Sequence, residues 1–178
     1  MATLFVRLPN HVGDAVMTMP ALNLLEAAGF KLYLIGKPFV GEVFEGTNRR
    51  FDPIEGNLLD DIKRIRDLAA SVKNSRGILM PNSFGSALLF KSAGIQSTGL
   101  ATDGRSILLE HAIPEPPRMH EVERFWYVAY EALKAMGIKP PYTKLTKRIN
   151  MKLAARNEAG ARNLAAKIGL PKRYAILA

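Results

Sequence analysis

The sequence has no cysteine, and this absence excludes disulfide bonds and thiolate metal sites. Histidine is scarce as well: His11, His111 and His120 lack the spacing of a zinc motif, so we expect no metal site. No apolar run approaches the roughly 20 residues that cross a membrane, and the first residues show no signal-peptide pattern. Hydrophobic residues make up 48% of the chain and charged residues 23%, as in ordinary globular proteins. We therefore expect a cytoplasmic protein with no resident cofactor.

Glycine-rich phosphate motifs are also missing. The turn containing Gly13 has one glycine where a dinucleotide-binding turn has three. Gly41 and Gly46 have the interval of a phosphate loop, but Thr47 and Asn48 follow them instead of Lys-Ser. No GxSxG motif is present to supply a nucleophilic serine. These absences disfavour a dehydrogenase, a nucleotidase and a serine hydrolase.

Positive charge is concentrated late in the chain. The net charge is +9, and most of it lies from Lys144 onward, where Glu158 is the only acidic residue. Such a segment is either a solvated helix face or a contact for anionic lipid, nucleic acid or a phosphorylated substrate. Only Tyr142, just before this segment, and Tyr174 within it offer aromatic surface for base stacking. Nucleic acid is therefore the weakest of these partners, and we expect none.

Short β-rich runs alternate with helical patterns, which predicts an α/β fold. The expected architecture is Rossmann-like, with a mostly parallel sheet and helices on both faces. Predicted strands cover residues 4–8, 31–35, 50–53 and 77–80, and predicted helices cover 14–28, 40–44, 58–72, 120–136 and 152–168, with another ending at Ala93. Residues 173–178 have a strand pattern that stops with the sequence. We expect residues 1–172 to form one domain and residues 173–178 to begin a second domain that is absent.

Polar residues follow the first predicted strand, at the edge where parallel α/β sheets bind ligands. Asp14 is either a helix cap or a catalytic carboxylate. A helix start favours a negative charge, so this position fits both roles. His11 either contacts a substrate or occupies a surface turn.

A second group of polar residues follows the later strands. Ser83 is expected to cap the next helix, and Asn82 either joins this turn or binds a sugar hydroxyl. Arg105 lies in a turn that is either plain or aims the guanidinium at an anion. His120 begins a predicted helix, with a structural or a binding role.

Several of these segments together resemble the bacterial lipopolysaccharide heptosyltransferase family. In order, they are residues 8–16 (LPNHVGDAV), 20–22 (PAL), 79–87 (LMPNSFGSA), 93–95 (AGI), 102–105 (TDGR) and 120–122 (HEV). Their order and spacing agree over roughly residues 4–125. The details are more similar to the second inner-core heptosyltransferase than to the first.

The resemblance implies the N-terminal, acceptor-binding half of a two-domain GT-B glycosyltransferase. It implies an inverting, metal-independent transfer of heptose from ADP-heptose to the lipopolysaccharide inner core. Asp14 would be the general base. The residues expected to bind the acceptor are Asn10, His11, Gly13, Asn82, Ser83, Arg105 and His120.

The same resemblance sets expectations for partners. ADP-heptose would bind mainly the missing domain, so we expect the chain to be inactive by itself. The acceptor is lipid-anchored, and the late basic segment would allow peripheral contact with the cytoplasmic face of the inner membrane. Two other functions stay open at this point: a non-catalytic α/β module that binds an anionic ligand, and half of another GT-B enzyme such as a sugar epimerase.

Overall fold

Six parallel strands form one sheet within the part of the chain described by the computed structural model, which covers residues 2–145, 149 and 155–169. Their order across the sheet is β3-β2-β1-β4-β5-β6, and every neighbouring pair is parallel. The strands are β1 (Ala2–Arg7), β2 (Phe30–Gly36), β3 (Arg50–Pro53), β4 (Arg76–Leu79), β5 (Gln96–Leu100) and β6 (His111–Ile113). The Rossmann-like α/β class predicted from the sequence is confirmed.

Helices connect the strands. They are α1 (Val12–Met17), α2 (Met19–Ala27), α3 (Pro38–Gly41), α4 (Leu58–Ala70), α5 (Phe84–Ser92), α6 (Glu121–Ala135) and α7 (Ala155–Lys167), with 3-10 turns at Glu42–Phe44 and Arg105–Leu108. The helix predicted over residues 14–28 is divided in two, because Pro20 lies in the first turn of α2. Proline fits there since that turn has no hydrogen-bond partner for its N–H group.

The two faces of the sheet pack against different helices. Leu4 and Val6 of β1 belong to one core, which includes side chains of α2 and α6. Phe5 points to the other face, where its core includes Ile65 of α4 and Phe90 of α5. This alternation is the period-two pattern of a strand that is buried on both sides. Helices therefore cover both faces, as predicted.

Two predictions fall partly or wholly beyond the described residues. The strand predicted over residues 173–178 and the domain boundary after residue 172 both lie outside them. Helix α7 lies within the helix predicted over residues 152–168. Strands β5 and β6 were not predicted; β6 has only three residues, and two of them are exposed at the edge of the sheet.

Asp61 fixes the loop between β3 and α4. Its carboxylate accepts hydrogen bonds from the backbone N–H groups of Glu55 and Gly56, both at 3.0 Å, and from Arg64 Nη2 at 3.1 Å. Burial acts to raise the pKa of Asp61, but the hydrogen bonds from Glu55, Gly56 and Arg64 outweigh it and lower the pKa. The ionised form of Asp61 therefore stabilises the fold.

We expect Asp61→Asn to reduce the free energy of unfolding by about 2 kcal/mol at pH 7, because charge-assisted hydrogen bonds are lost. The folded pKa is lowered, so this stabilisation is complete above the unfolded pKa of about 4 and disappears as pH falls through the folded pKa. Urea unfolding from pH 7 to pH 3 should show the wild type and the variant converging at low pH. Asp60→Asn, at the exposed neighbouring residue, is the control. A constant difference at all pH values would contradict the assignment.

Candidate functional site at the carboxyl edge of the sheet

The order of the strands reverses between β1 and β4. From β1 the chain continues to β2 and β3 on one side, and from β4 it continues to β5 and β6 on the other. The two strands pair in parallel, with Arg7 opposite Leu79, so the loops that follow them leave the same edge side by side. Ligands of open α/β sheets bind in the crevice at such a reversal. The loops after β1 and β4 are the two that carry most of the predicted site residues.

Asp14 lies in the first turn of α1 and is half-buried. The residue that precedes this helix as its cap is His11, whose side chain makes no capping hydrogen bond. Within residues 2–145, the carboxylate of Asp14 has no hydrogen bond or ion pair. The sequence left open whether Asp14 caps the helix; its position is the third residue of α1, one turn inside the cap. Its carboxylate is available for a ligand.

Arg7 forms hydrogen bonds with the loop that precedes Asp14. Its guanidinium donates to the carbonyl of Leu8 and, from Nη2, to Oδ1 of Asn10 at 2.6 Å. Burial lowers the pKa of Arg7 to about 10, and Asp61 raises it in part. The amide oxygen of Asn10 is thus occupied, while the residue itself is exposed. Sequence reasoning missed Arg7, although a charged residue that ends the apolar run of β1 is a usable signal.

The loop after β4 places Asn82 and Ser83. Ser83 caps α5, where its side chain accepts from the backbone N–H of Ser86, so the predicted cap is confirmed. The backbone carbonyl of Asn82 accepts a hydrogen bond from the hydroxyl of Thr102 at 3.2 Å. With its amide oxygen turned toward α6, Asn82 also accepts from the guanidinium of Arg124. This loop therefore contacts the turn after β5 and helix α6.

Arg105 is fully buried. Its Nε donates to the carbonyl of Leu100 at 2.8 Å, and its Nη1 donates to the carbonyl of Pro81 at 2.5 Å and to that of Ser83 at 3.3 Å. These contacts are internal, so the turn does not aim the guanidinium outward at an anion. Direct contact between Arg105 and an acceptor stays a prediction.

The two histidines of the predicted site are both exposed. His120 caps α6. Its ring Nδ1 accepts a hydrogen bond from the backbone N–H of Val122 at 3.3 Å, and its backbone N–H donates to the carboxylate of Glu123 at 3.3 Å. Arg124 of the same helix pairs with Glu121 and reaches Asn82. The start of α6 is thus joined to the loop after β4, and Arg124 is a residue that the sequence did not reveal.

Gly13 occupies the second position of α1, and the fold does not require a glycine there. A Cβ atom at Gly13 would meet nothing within 4 Å, and its φ angle is not in the left-handed region. Gly85, at the second position of α5, has the same properties. An exposed helical glycine costs stability relative to alanine. The turn therefore does not depend on the conformational freedom of Gly13.

Apolar side chains are exposed along this edge. Within residues 2–145, the large hydrophobic residues with more than a third of their surface exposed all lie in the first turns that follow the strands. They are Val12, Phe39, Leu58, Leu59, Phe84 and Ile107. Cavities of about 660 and 370 Å³ lie at the opposite, amino edge, and one of about 310 Å³ beside β3 is lined in part by Pro38 and Pro53. The candidate site is thus an open edge with an apolar border.

The described residues lack two further features. Within them, no three His, Asp or Glu side chains come together as a group that could hold a metal ion. Nor does any helix there combine the length and the apolar character needed to cross a membrane.

The sequence matches the model of glycosyltransferase family 9 (heptosyltransferase) over residues 65–177, which is more than half of the chain. The chain therefore belongs to this family. The match begins after Asp14, so the role of Asp14 does not follow from it. A comparison with curated proteins gives no match.

Solved structures of heptosyltransferases share the fold. The Escherichia coli heptosyltransferase WaaC with ADP is 19% identical, with a TM-score of 0.66 over 83% of this chain and 51% of that one. Escherichia coli ADP-heptose lps heptosyltransferase II is 21% identical, with a TM-score of 0.68 over 97% and 52%. A family 9 glycosyl transferase from Veillonella parvula is 14% identical, with a TM-score of 0.77 over 96% and 50%. The chain spans about half the length of these relatives.

We expect Gly13→Ala to raise the free energy of unfolding by about 0.5–1 kcal/mol, because alanine favours a helix and the new Cβ has space. Gly77→Ala is the contrast: its Cβ would lie 2.7 Å from Phe90 and should destabilise by about 1–3 kcal/mol through overpacking. Thermal and urea unfolding of both variants measure these changes. Loss of stability in Gly13→Ala would show that the fold itself requires this glycine.

Proposed function

We propose that this chain is the acceptor-binding half of a GT-B heptosyltransferase that transfers heptose from ADP-heptose to the lipopolysaccharide inner core. The reaction is inverting and metal-independent, and the acceptor is that of the second inner-core transfer. One observation carries the proposal: a chain of the heptosyltransferase family has a half-buried, unpaired carboxylate, Asp14, at the reversal point of its sheet.

In this proposal Asp14 acts as the general base. The acceptor hydroxyl oxygen attacks the anomeric carbon of the heptose, and the bond between that carbon and the β-phosphate oxygen of ADP breaks. The carboxylate of Asp14 takes the hydroxyl proton, and ADP leaves with the bonding electron pair. A positioned base contributes through its hydrogen bond to the reacting hydroxyl. Because the carboxylate has no partner among the described residues, it is free to make that bond.

Acceptor recognition uses the two loops beside Asp14. The first contributes Asn10, His11 and the open backbone at Gly13, and the second contributes Asn82 and Ser83. His120 and Arg105 complete the predicted set, one at the start of α6 and the other beneath the second loop. Hydroxyl and amide groups of this kind suit the hydroxyls of a sugar, since each donates and accepts hydrogen bonds.

ADP-heptose binds mainly a second domain, which faces the carboxyl edge in this proposal. The exposed apolar border supports such a partner, since patches of this kind commonly mark interaction surfaces. The chain alone is then inactive. A cytoplasmic location and peripheral contact with the inner membrane, through the basic segment after Lys144, belong to the same proposal.

The two alternatives are affected differently by the family membership. Membership of this family counts against the alternative that the chain is half of a sugar epimerase, because the matching family is defined as heptosyltransferases. A non-catalytic module that binds an anionic ligand differs from the proposal in needing no base. The following substitution separates the two.

We expect Asp14→Asn to lower kcat for heptose transfer by about 10²–10⁴-fold, because asparagine keeps the shape but cannot accept the proton. The KM for the acceptor should change little. The measurement is steady-state transfer to truncated inner core by a polypeptide that joins this chain to a donor-binding half of the family. Near-normal turnover would reject Asp14 as the base.

Asp60→Asn is the matched control. Asp60 is the third residue of α4, as Asp14 is of α1, and both helices start at the same edge of the sheet. Each substitution removes a similar favourable interaction with a helix N-terminus, about 0.3–1 kcal/mol. The two variants should therefore lose similar stability, whereas only Asp14→Asn should lose transfer. An equal loss of transfer in both would attribute the effect to stability.

A further inference from the structure

Arg105 is the largest of the fully buried side chains of the described residues. Its donors reach the carbonyls of Leu100, Pro81 and Ser83, and its Nη1 also lies 3.4 Å from Oγ of Ser86. Leu100 ends β5, whereas the other three belong to the segment between β4 and the first turn of α5. One guanidinium thus joins two neighbouring loops of the candidate site.

The charge of Arg105 is buried without an ion pair among the described residues. Burial lowers its pKa to about 10, and Asp103 raises it only in part. Gly99 lies directly against the guanidinium. A Cβ at this position would lie 3.1 Å from Nη2 of Arg105 and 3.2 Å from Cβ of Leu79. Burying a charge in this way is unfavourable unless its hydrogen bonds compensate. The carbonyls of the two loops supply bonds to Nε and Nη1, whereas Nη2 has no hydrogen-bond partner among the described residues. The positions of these carbonyls and of the guanidinium therefore depend on each other.

These contacts involve the backbone on both sides of Asn82. The carbonyls on both sides of it, those of Pro81 and Ser83, are held by Arg105. Its own carbonyl accepts from Thr102, three residues before Arg105. The half-buried side chain of Asn82 thus extends from a backbone whose neighbouring carbonyls are fixed.

We propose that Arg105 is a positioning residue of the acceptor site, which sets the backbone of Asn82 and Ser83 without touching the acceptor. The proposal rests on the proposed function, in which these two residues meet the acceptor. It differs from the expectation that Arg105 binds an anionic group of the substrate. Holding several carbonyl oxygens at once requires the planar guanidinium group, whose donors point in fixed directions. Lysine keeps the charge but lacks this geometry, so it cannot replace arginine.

The test uses the 178-residue chain, Arg105→Lys, and Arg66→Lys as the control. Arg66 also donates to a carbonyl, that of Ser92 at 2.8 Å, but it is exposed and lies away from the candidate site. The probe is lipopolysaccharide inner core truncated before the transferred heptose, in micelles, with and without its phosphate groups. Calorimetry gives the Kd and the binding stoichiometry, and NMR gives the amide shifts of Asn82, Ser83 and Gly85.

We expect Arg105→Lys to shift these three amide signals and to raise the Kd about tenfold, the equivalent of one lost contact. The factor should be the same for phosphorylated and dephosphorylated acceptor, with unchanged stoichiometry. Arg66→Lys should alter neither Kd nor these signals. A loss confined to the phosphorylated acceptor would show direct contact and overturn the proposal. A lower stoichiometry with unchanged Kd would show a purely structural role and overturn it as well.

A milder variant covers the case in which Arg105→Lys does not fold. Gly99→Ala requires the guanidinium and Leu79 to give by a few tenths of an ångström, and it keeps the Arg105 side chain itself unchanged. It should shift the Asn82 and Ser83 signals in the same sense. Unmoved signals in a folded variant would overturn the proposal whether or not the acceptor binds. Absence of acceptor binding by the wild type, with shifted signals, would instead count against the proposed function.

Discussion

The parallel pairing of β1 with β4 is the constraint on which the site depends. Because the order of strands reverses there, the connection from β1 and the connection from β4 leave in opposite directions. The loops at these two strand ends are set side by side at an open crevice. Asp14 and the pair Asn82–Ser83 therefore follow neighbouring strands at the same edge, although they are far apart in the sequence.

Two buried arginines form hydrogen bonds with the loops of the candidate site. Arg7 bonds to the loop after β1, and Arg105 bonds to the loop after β4 and to the end of β5. Burial lowers the pKa of each to about 10, so both stay protonated at neutral pH. Neither presents its charge to solvent. Their donors hold main-chain or amide oxygens, which arranges the exposed groups before a substrate arrives.

Local patterns in the sequence predicted the elements of the fold well, because each depends on its own residues. Strand β3 has the predicted bounds, and Ser83 caps α5 as predicted. Contacts between distant residues left no such pattern. The burial of Arg105 depends on Gly99 and on carbonyls some 20 residues away, and the bond from Arg124 to Asn82 depends on how α6 packs. The sequence could suggest Arg105 as a site residue, but not that its donors point inward.

The most direct test of the account is to locate ligand binding on the isotopically labelled chain by NMR. Truncated inner core and ADP-heptose are titrated separately, and amide shifts are followed at both edges of the sheet. The account predicts that the acceptor shifts residues 10–14 and 82–85, leaves the amino-edge residues 71–75 and 94–96 unchanged, and that ADP-heptose shifts neither set. Acceptor-induced shifts confined to the amino edge, or binding of ADP-heptose at residues 10–14 without the acceptor, would contradict it.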